Sequence, residues 1–320
     1  MLPAVIGAGS WFAYTCAKDQ PGPDTAYASE PAPAPGQSQP ATTAASLPLP
    51  WPKEGQAAIE AEGIGSLGVK GDQKPVPIAS ITKVMTAYVI LKDHPLKGQD
   101  EGPTIRIDKT AANESVSSSE STAAVKENQE FTERQLLKLM LIPSANNIAR
   151  QFARWDAGSQ EAFTKKMNKA AAELGMSQTT YTGASGIEVT NKSTAVDQLK
   201  LARTIMKNDV FRSIVAMPKA TVPGFPAELT NTNVLLKTPG VVGLKTGSTT
   251  PAGGCLLWAA EHQAQDTKRL ILGVVLHQRA GLPPTEGRRV AADCSRELIT
   301  AARQALTTQL SEQSSGSKAR

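Results

Sequence analysis

Ser80 and Lys83 stand three residues apart in Pro77-Ile78-Ala79-Ser80-Ile81-Thr82-Lys83-Val84-Met85-Thr86-Ala87, at the head of a run that reads as helix. Residues i and i+3 lie on one face of a helix, so the hydroxyl and the amine can touch. A neutral amine there can take the hydroxyl proton, and the positive end of the helix dipole favours the negative charge that develops. That is an activated serine nucleophile with its own base. Spacing alone is a weak signal, since Ser315 and Lys318 repeat it in a polar tail. Two further short motifs raise its weight. Ser144-Ala145-Asn146 follows a helix that ends at Pro143, and Lys245-Thr246-Gly247 lies in a strand; S-x-N and K-T-G each occur once.

Other chemistries fit less well. The three cysteines, Cys16, Cys255 and Cys294, lack C-x-x-C spacing, which argues against a zinc site or a redox pair. His94, His262 and His277 are far apart with no H-E-x-x-H, so no metal is expected, and no cofactor. Each histidine reads as a surface or satisfied core residue. No G-x-S-x-G is present. Net charge is +5 and pI about 9.0, yet aromatics are only 4% and no dense Lys/Arg run occurs. Nucleic acid is therefore not an expected partner, and a mildly basic surface suits an anionic polymer or envelope.

The elements that must position these residues follow from pattern. Residues 2–17 carry no charge. They fall short of the roughly 20 a membrane span needs and lack the positive start of a signal peptide. We read 1–17 as the outer part of a membrane anchor, with a signal-like segment as the alternative; Tyr14 and Thr15 before Cys16 argue against lipid attachment. Residues 18–52 are rich in Pro, Ala, Ser, Thr and Gln, the composition of an extended linker. A folded domain is expected over 53–310, its first packed residues near Leu49, and a disordered polar tail over 311–320.

Within that domain, Gln56–Glu62 and Ile64–Lys70 read as a hairpin around Gly63. The Ser80 helix is apolar on several faces. Residues 104–130 read as loops and short strands. Thr132 and Gln135 form a capping box for a helix ending at Pro143. Ser144-Ala145-Asn146-Asn147 reads as a loop, with Asn147 as a cap. Helices follow that carry Ile148, Phe152 and Trp155, then Phe163, Met167, Ala171 and Leu174, then Asp197–Lys207. Val241–Thr246, Cys255–Ala260 and Arg269–His277 read as strands, and Arg288–Leu310 as a terminal helix with Val290, Cys294, Leu298 and Ala301 on one face. First and last strands can close one antiparallel sheet, with the helices as a lobe beside it. The cleft between them is the expected site. Tyr181 and Trp258 read as core, and a Cys255–Cys294 disulfide is the less favoured of two arrangements, buried thiols being the other.

The three motifs, in this order and context, match the S-x-x-K, S-D-N and K-T-G set of β-lactamases and penicillin-binding proteins. Ile78–Ala87, Leu174-Gly175-Met176 with Tyr181-Thr182-Gly183-Ala184-Ser185-Gly186, and Val242–Thr249 with Ala252-Gly253-Gly254-Cys255 resemble segments of the low-molecular-mass penicillin-binding proteins, the serine-type D-alanyl-D-alanine carboxypeptidases. The resemblance covers roughly residues 50–305 and implies an α/β (α+β) fold of the β-lactamase/transpeptidase type, with a five-stranded antiparallel sheet, flanking helices and a helical lobe. It implies hydrolysis of the terminal D-Ala–D-Ala bond of peptidoglycan stem peptides, and β-lactam antibiotics as covalent inhibitors. By that resemblance Ser80 is the nucleophile, Lys83 the base and Ser144 the proton relay. Asn146, Lys245, Thr246, Gly247 and Ser248 contact substrate, and the backbone N–H groups of Ser80 and Ser248 form an oxyanion hole. The protein is expected outside the cytoplasm, in the cell envelope, either tethered by its N-terminal segment, its only contact with the membrane, or secreted.

The sequence departs from that pattern in three places. Ala145 stands where Gly is frequent, little chain follows the terminal helix, and no arginine lies between Ser213 and Lys268. Three rival readings remain. A class A β-lactamase would need a carboxylate between the second and third motifs, for which Glu188 is the nearest candidate. A penicillin sensor would acylate without turnover. An endopeptidase acting on cross-links shares all three motifs.

Overall fold

In the computed structural model the chain is described over residues 47–264 and 267–317. The expected N-terminal anchor and most of the linker lie outside the described residues.

Strands β1 (Gln56–Ala61) and β2 (Gly65–Lys70) form the expected hairpin. The short β3 (Val76–Pro77) leads into a 3-10 turn at Ala79–Ile81 and then α1 (Thr82–Asp93). Val84, Met85, Ala87, Val89, Ile90 and Leu91 of α1 are all buried, as befits a helix apolar around its circumference. The lobe follows, built from β4 (Thr104–Arg106), α2 (Lys109–Glu114), β5 (Glu130–Thr132), α3 (Glu133–Leu141), α4 (Asn146–Ala157), α5 (Gln160–Glu173), β6 (Lys192–Ser193), α6 (Ala195–Ile205) and α7 (Asp209–Val215). Two short strands, β7 (Lys219–Ala220) and β8 (Leu229–Thr230), precede the long β9 (Val241–Thr249), β10 (Gly253–Ala264) and β11 (Thr267–Gln278), and α8 (Pro284–Ser317) closes the chain.

The main sheet has five strands in the order β2-β1-β11-β10-β9, all paired antiparallel. The α/β arrangement with a helical lobe is thus as expected. Side chains alternate across the sheet and feed two cores. Ala58, Cys255, Leu257, Ala259, Leu272, Val274 and Leu276 join α1 and the lobe. Ala57, Ile59, Leu256, Trp258, Ile271 and Val275 join Ala291, Leu298, Ile299, Ala302 and Leu306 of α8. Tyr181 and Trp258 are both core residues.

Several expectations are corrected. Leu49 is buried in the α8-side core as expected, with Leu47 and Trp51 packed against it, but this places the start of the folded region inside the 18–52 span assigned to the linker; three apolar side chains outweigh the Pro-rich composition around them. The terminal helix runs to Ser317, past the tail boundary at 310, because extending an established helix through Glu312 and Gln313 costs little. Its buried stripe is Ala291, Leu298 and Ala302, whereas Val290, Cys294 and Ala301 are only partly buried. The polar stretch at 104–130 contains α2, started by Asp108, whose carboxylate accepts from the Ala111 backbone N–H at 2.7 Å. Asn146 and Asn147 are not loop residues but the first two of α4. Asn147 caps nothing: it accepts from the backbone N–H of Ala123 and donates to the carbonyls of Ala111 and Ala123. Cys255 and Cys294 are free thiols. They sit in cores on opposite faces of the sheet, so no disulfide can join them.

Candidate active site

Ser80 occupies the 3-10 turn that enters α1, and Lys83 is the second residue of that helix. The i,i+3 geometry brings Lys83 Nζ to 3.0 Å from Ser80 Oγ. The turn is tightly held. Ala79 has φ +47°, and a Cβ on Gly186 (φ +88°) would meet the Ala79 carbonyl oxygen at 2.0 Å. Only glycine fits there, which brings the Ala184-Ser185-Gly186 segment against the nucleophile turn. The consequence is chemical: the Ser185 carbonyl accepts a hydrogen bond from Lys83 Nζ at 2.7 Å.

The second motif arrives from the lobe. Ser144 has φ +70°, and its buried hydroxyl has no hydrogen-bond partner among the described residues. Asn146 opens α4, and its Oδ1 accepts from Lys83 Nζ at 2.5 Å. Its Nδ2 donates to Glu120 at 2.6 Å. Lys83 is fully buried. Burial, then the charge of Lys245, then that of Arg150 hold its amine well below the ordinary lysine range, against smaller opposing effects of Glu120 and Glu188.

The third motif lies on β9, an edge strand of the sheet. Lys245 is buried, and burial lowers its pKa to about 7; its Nζ donates to the Thr246 carbonyl at 3.0 Å. Thr246 Oγ1 and Thr232 Oγ1 share a hydrogen bond at 2.6 Å. A Cβ on Gly247 would lie 2.9 Å from both the Ile78 carbonyl oxygen and the Ser80 nitrogen. The missing side chain therefore lets β9 close onto the nucleophile turn. Ser248 pairs with Gly254 in the ladder and is half-buried.

Ser80, Lys83 and Asn146 are thus joined by hydrogen bonds, with Gly247 against Ser80 and Lys245 acting on Lys83. Sequence reasoning missed the Ser185 carbonyl, Glu120, Arg150 and Thr232. The first acts through its backbone and leaves no residue signature. Glu120 lies in a serine-rich stretch and Arg150 in a helix, with no spacing that links them. Glu188 is not aimed as a lone base: its carboxylate lies over Gly183 and accepts from Asn191 Nδ2 at 2.9 Å. A cavity of about 1160 Å³ opens elsewhere, lined by residues such as Glu60, Arg203 and Arg269, and no residue of the three motifs lines it. Among the described residues no group of His, Cys, Asp or Glu is arranged to hold a metal ion, and no helix is long and apolar enough to cross a membrane.

A family profile described as D-alanyl-D-alanine carboxypeptidase matches residues 61–279. The chain is 36% identical over 189 residues to a D-alanyl-D-alanine endopeptidase of Pseudomonas aeruginosa, covering 57% of this chain and 58% of the relative. It is 33% identical over 202 residues to the D-alanyl-D-alanine carboxypeptidase DacF of Bacillus subtilis, covering 60% and 50%. The chain therefore spans about half to three-fifths of the length of these curated relatives. The crystal structure of the Streptomyces K15 DD-transpeptidase is similar at a TM-score of 0.65 and 27% identity, over 77% of this chain and 95% of that one.

Proposed function

The chain belongs to the D-alanyl-D-alanine carboxypeptidase family, and from that premise we propose that it is a serine hydrolase that removes the terminal D-alanine from peptidoglycan stem peptides. The observation that carries this reading is the environment of Lys83. A neutral amine has two N–H groups and one lone pair. Asn146 Oδ1 and the Ser185 carbonyl take the two N–H groups, which leaves the lone pair for Ser80 Oγ at 3.0 Å. Burial and the Lys245 charge lower its pKa and so favour that neutral form.

In this mechanism Ser80 Oγ attacks the carbonyl carbon of the penultimate D-Ala while its proton passes to Lys83. The oxyanion is held by the backbone N–H groups of Ser80 and Ser248. Ser144, whose hydroxyl has no partner among the described residues, relays the proton from Lys83 to the leaving D-Ala nitrogen; the C–N bond breaks and an ester on Ser80 remains. Water then attacks that ester and gives its proton to the Lys83–Ser144 pair, and Lys83 returns a proton to Ser80 Oγ as the C–O bond breaks. Lys245 and Thr246 hold the substrate carboxylate. Asn146 contacts the substrate amide, and the peptide lies along the edge of β9 at Gly247 as an added strand. β-Lactams present the same carbonyl and carboxylate, so they acylate Ser80 and are not released quickly. The protein works outside the cytoplasm, tethered through its N-terminal segment. Because the P. aeruginosa relative is named an endopeptidase, cleavage of cross-links by the same site is the second reading.

The test is release of D-alanine from an acyl-D-Ala-D-Ala peptide, with labelled penicillin mapped to Ser80. Absence of both, or a label on another residue, would defeat the proposal.

A further inference from the structure

Glu120 and Arg150 form an ion pair directly behind Asn146. Asn146 and Arg150 are four residues apart on α4 and share one helix face. Glu120, on the stretch after α2, meets both. Its Oε2 accepts from Asn146 Nδ2 at 2.6 Å and from Arg150 at 3.1 Å, and its Oε1 accepts from Arg150 at 2.6 Å. Arg150 also pairs with Glu114 at 3.0 Å. The pair is largely removed from solvent, with side chains 14% and 9% exposed. Burial pushes the Glu120 carboxyl up, but hydrogen bonds from Arg150 and Asn146 outweigh it and hold it below the usual carboxylate range.

A carboxamide has one accepting end and one donating end, and a carboxylate only accepts. An ionised Glu120 therefore captures the NH2 end of Asn146 and turns Oδ1 toward Lys83. In the flipped amide an N–H would point at Nζ and occupy the lone pair that must face Ser80. Glu120 favours the charged form of Lys83 while Arg150 opposes it, so the two charges of the pair act on the base in opposite directions.

We infer that Glu120, held by Arg150, is a positioning residue that fixes the Asn146 carboxamide so that Lys83 presents its lone pair to Ser80. The inference rests on the reading of Lys83 as the base for Ser80. A purely structural ion pair would stabilise α4 and leave acylation chemistry alone.

The experiment measures the acylation rate of the full chain with fluorescent penicillin, from pH 5 to 9, beside the melting temperature. Glu120→Ala should slow acylation at its optimum by about tenfold or more, as small misplacements of reacting groups do. Glu120→Gln keeps an acceptor oxygen and should recover most of the rate. It also removes one anion facing Lys83, leaving Lys245 on β9, Arg150 on α4 and Glu188 on the loop after α5, so the ascending limb of the pH profile should move to lower pH. Asn146→Ala and the double variant with Glu120→Ala should be equally slow, because Glu120 acts through Asn146. Wild-type rates in Glu120→Ala, or losses that multiply in the double variant, would overturn the inference. If Glu120→Ala fails to fold, an unmoved pH limb in Glu120→Gln overturns it instead. Failure of the wild-type chain to label at Ser80 would sink the proposed function itself, a separate outcome.

Discussion

After burial itself, the charge on Lys245 is the strongest influence lowering the pKa of the Lys83 amine. The two amines are 1% and 0% exposed, so water screens their repulsion little. In the proposed mechanism the first is thus tuned as a base by the second, which holds the substrate carboxylate.

Activity should follow both amines. As pH rises Lys83 becomes a free base and the rate climbs; above about 7 Lys245 loses its charge and its hold on the substrate carboxylate. The pH profile of kcat/KM for D-alanine release should be bell-shaped. Lys245→Met should raise KM and, with one cation gone, move the ascending limb to higher pH. An unmoved limb would show that the two lysines are not coupled.

Removing either proton-handling group should be severe. Lys83→Ala and Ser144→Ala should each lower peptide turnover by a factor on the order of 10² or more, with circular dichroism and melting temperature reporting that the fold is retained. Near-wild-type turnover in either variant would remove that residue from the mechanism.

Penicillin distinguishes the hydrolase from a β-lactamase. Glu188 is already engaged with Asn191, so the proposed mechanism leaves deacylation to the Lys83–Ser144 pair and has the bulky penicilloyl group block the water. The adduct on Ser80 should survive for minutes or longer in mass spectra of the intact protein. Glu188→Gln should change its lifetime by less than about threefold, far below the effect of losing a general base. Rapid multiple-turnover hydrolysis abolished by Glu188→Gln would mean the opposite.

Stability should depend on Glu133. Its carboxyl is buried with neither oxygen hydrogen-bonded among the described residues, and burial raises its pKa from 4.5 to about 7. The folded state holds this proton more tightly than the unfolded chain. Its stabilising effect is complete below pH 4.5 and is lost as pH rises to about 7. Urea unfolding should find Glu133→Gln more stable than wild type at pH 8, by on the order of 1–3 kcal/mol, and little changed at pH 4. Equal shifts at both pH values would contradict this.

The boundary of the folded region can be tested by truncation. Deletion of residues 1–46 should leave penicillin acylation and the melting temperature unchanged and release the protein from membranes. Deletion through Trp51 also removes buried Leu49 and the packing of Leu47 and Trp51. It should cost about 2–5 kcal/mol, comparable to emptying a core position.

Much of this protein is set by short-range pattern. The β1–β2 hairpin, the capping box of Thr132 and Gln135, the apolar α1 and the three long C-terminal strands all follow from periodicity and from residues a few positions apart. So does the Ser80–Lys83 contact, because i,i+3 spacing on a helical turn is itself a geometry. What only the tertiary structure decided is how distant segments meet. Cys255 of β10 faces the lobe-side core while Cys294 of α8 lies against the other face, since alternation places neighbouring strand residues on opposite faces but composition does not say which helix covers each face. Asn147 looks like a cap until Ala111 of α2 and Ala123 of the stretch after it take up its amide. Lys83 gains acceptors 63 and 102 residues away, one of them a backbone carbonyl common to every residue type. Glu120 and Arg150 meet only because α4 packs against the stretch after α2. Local sequence can supply the reacting groups, but the proton acceptors and charges around them belong to chain segments that come together only when the core closes.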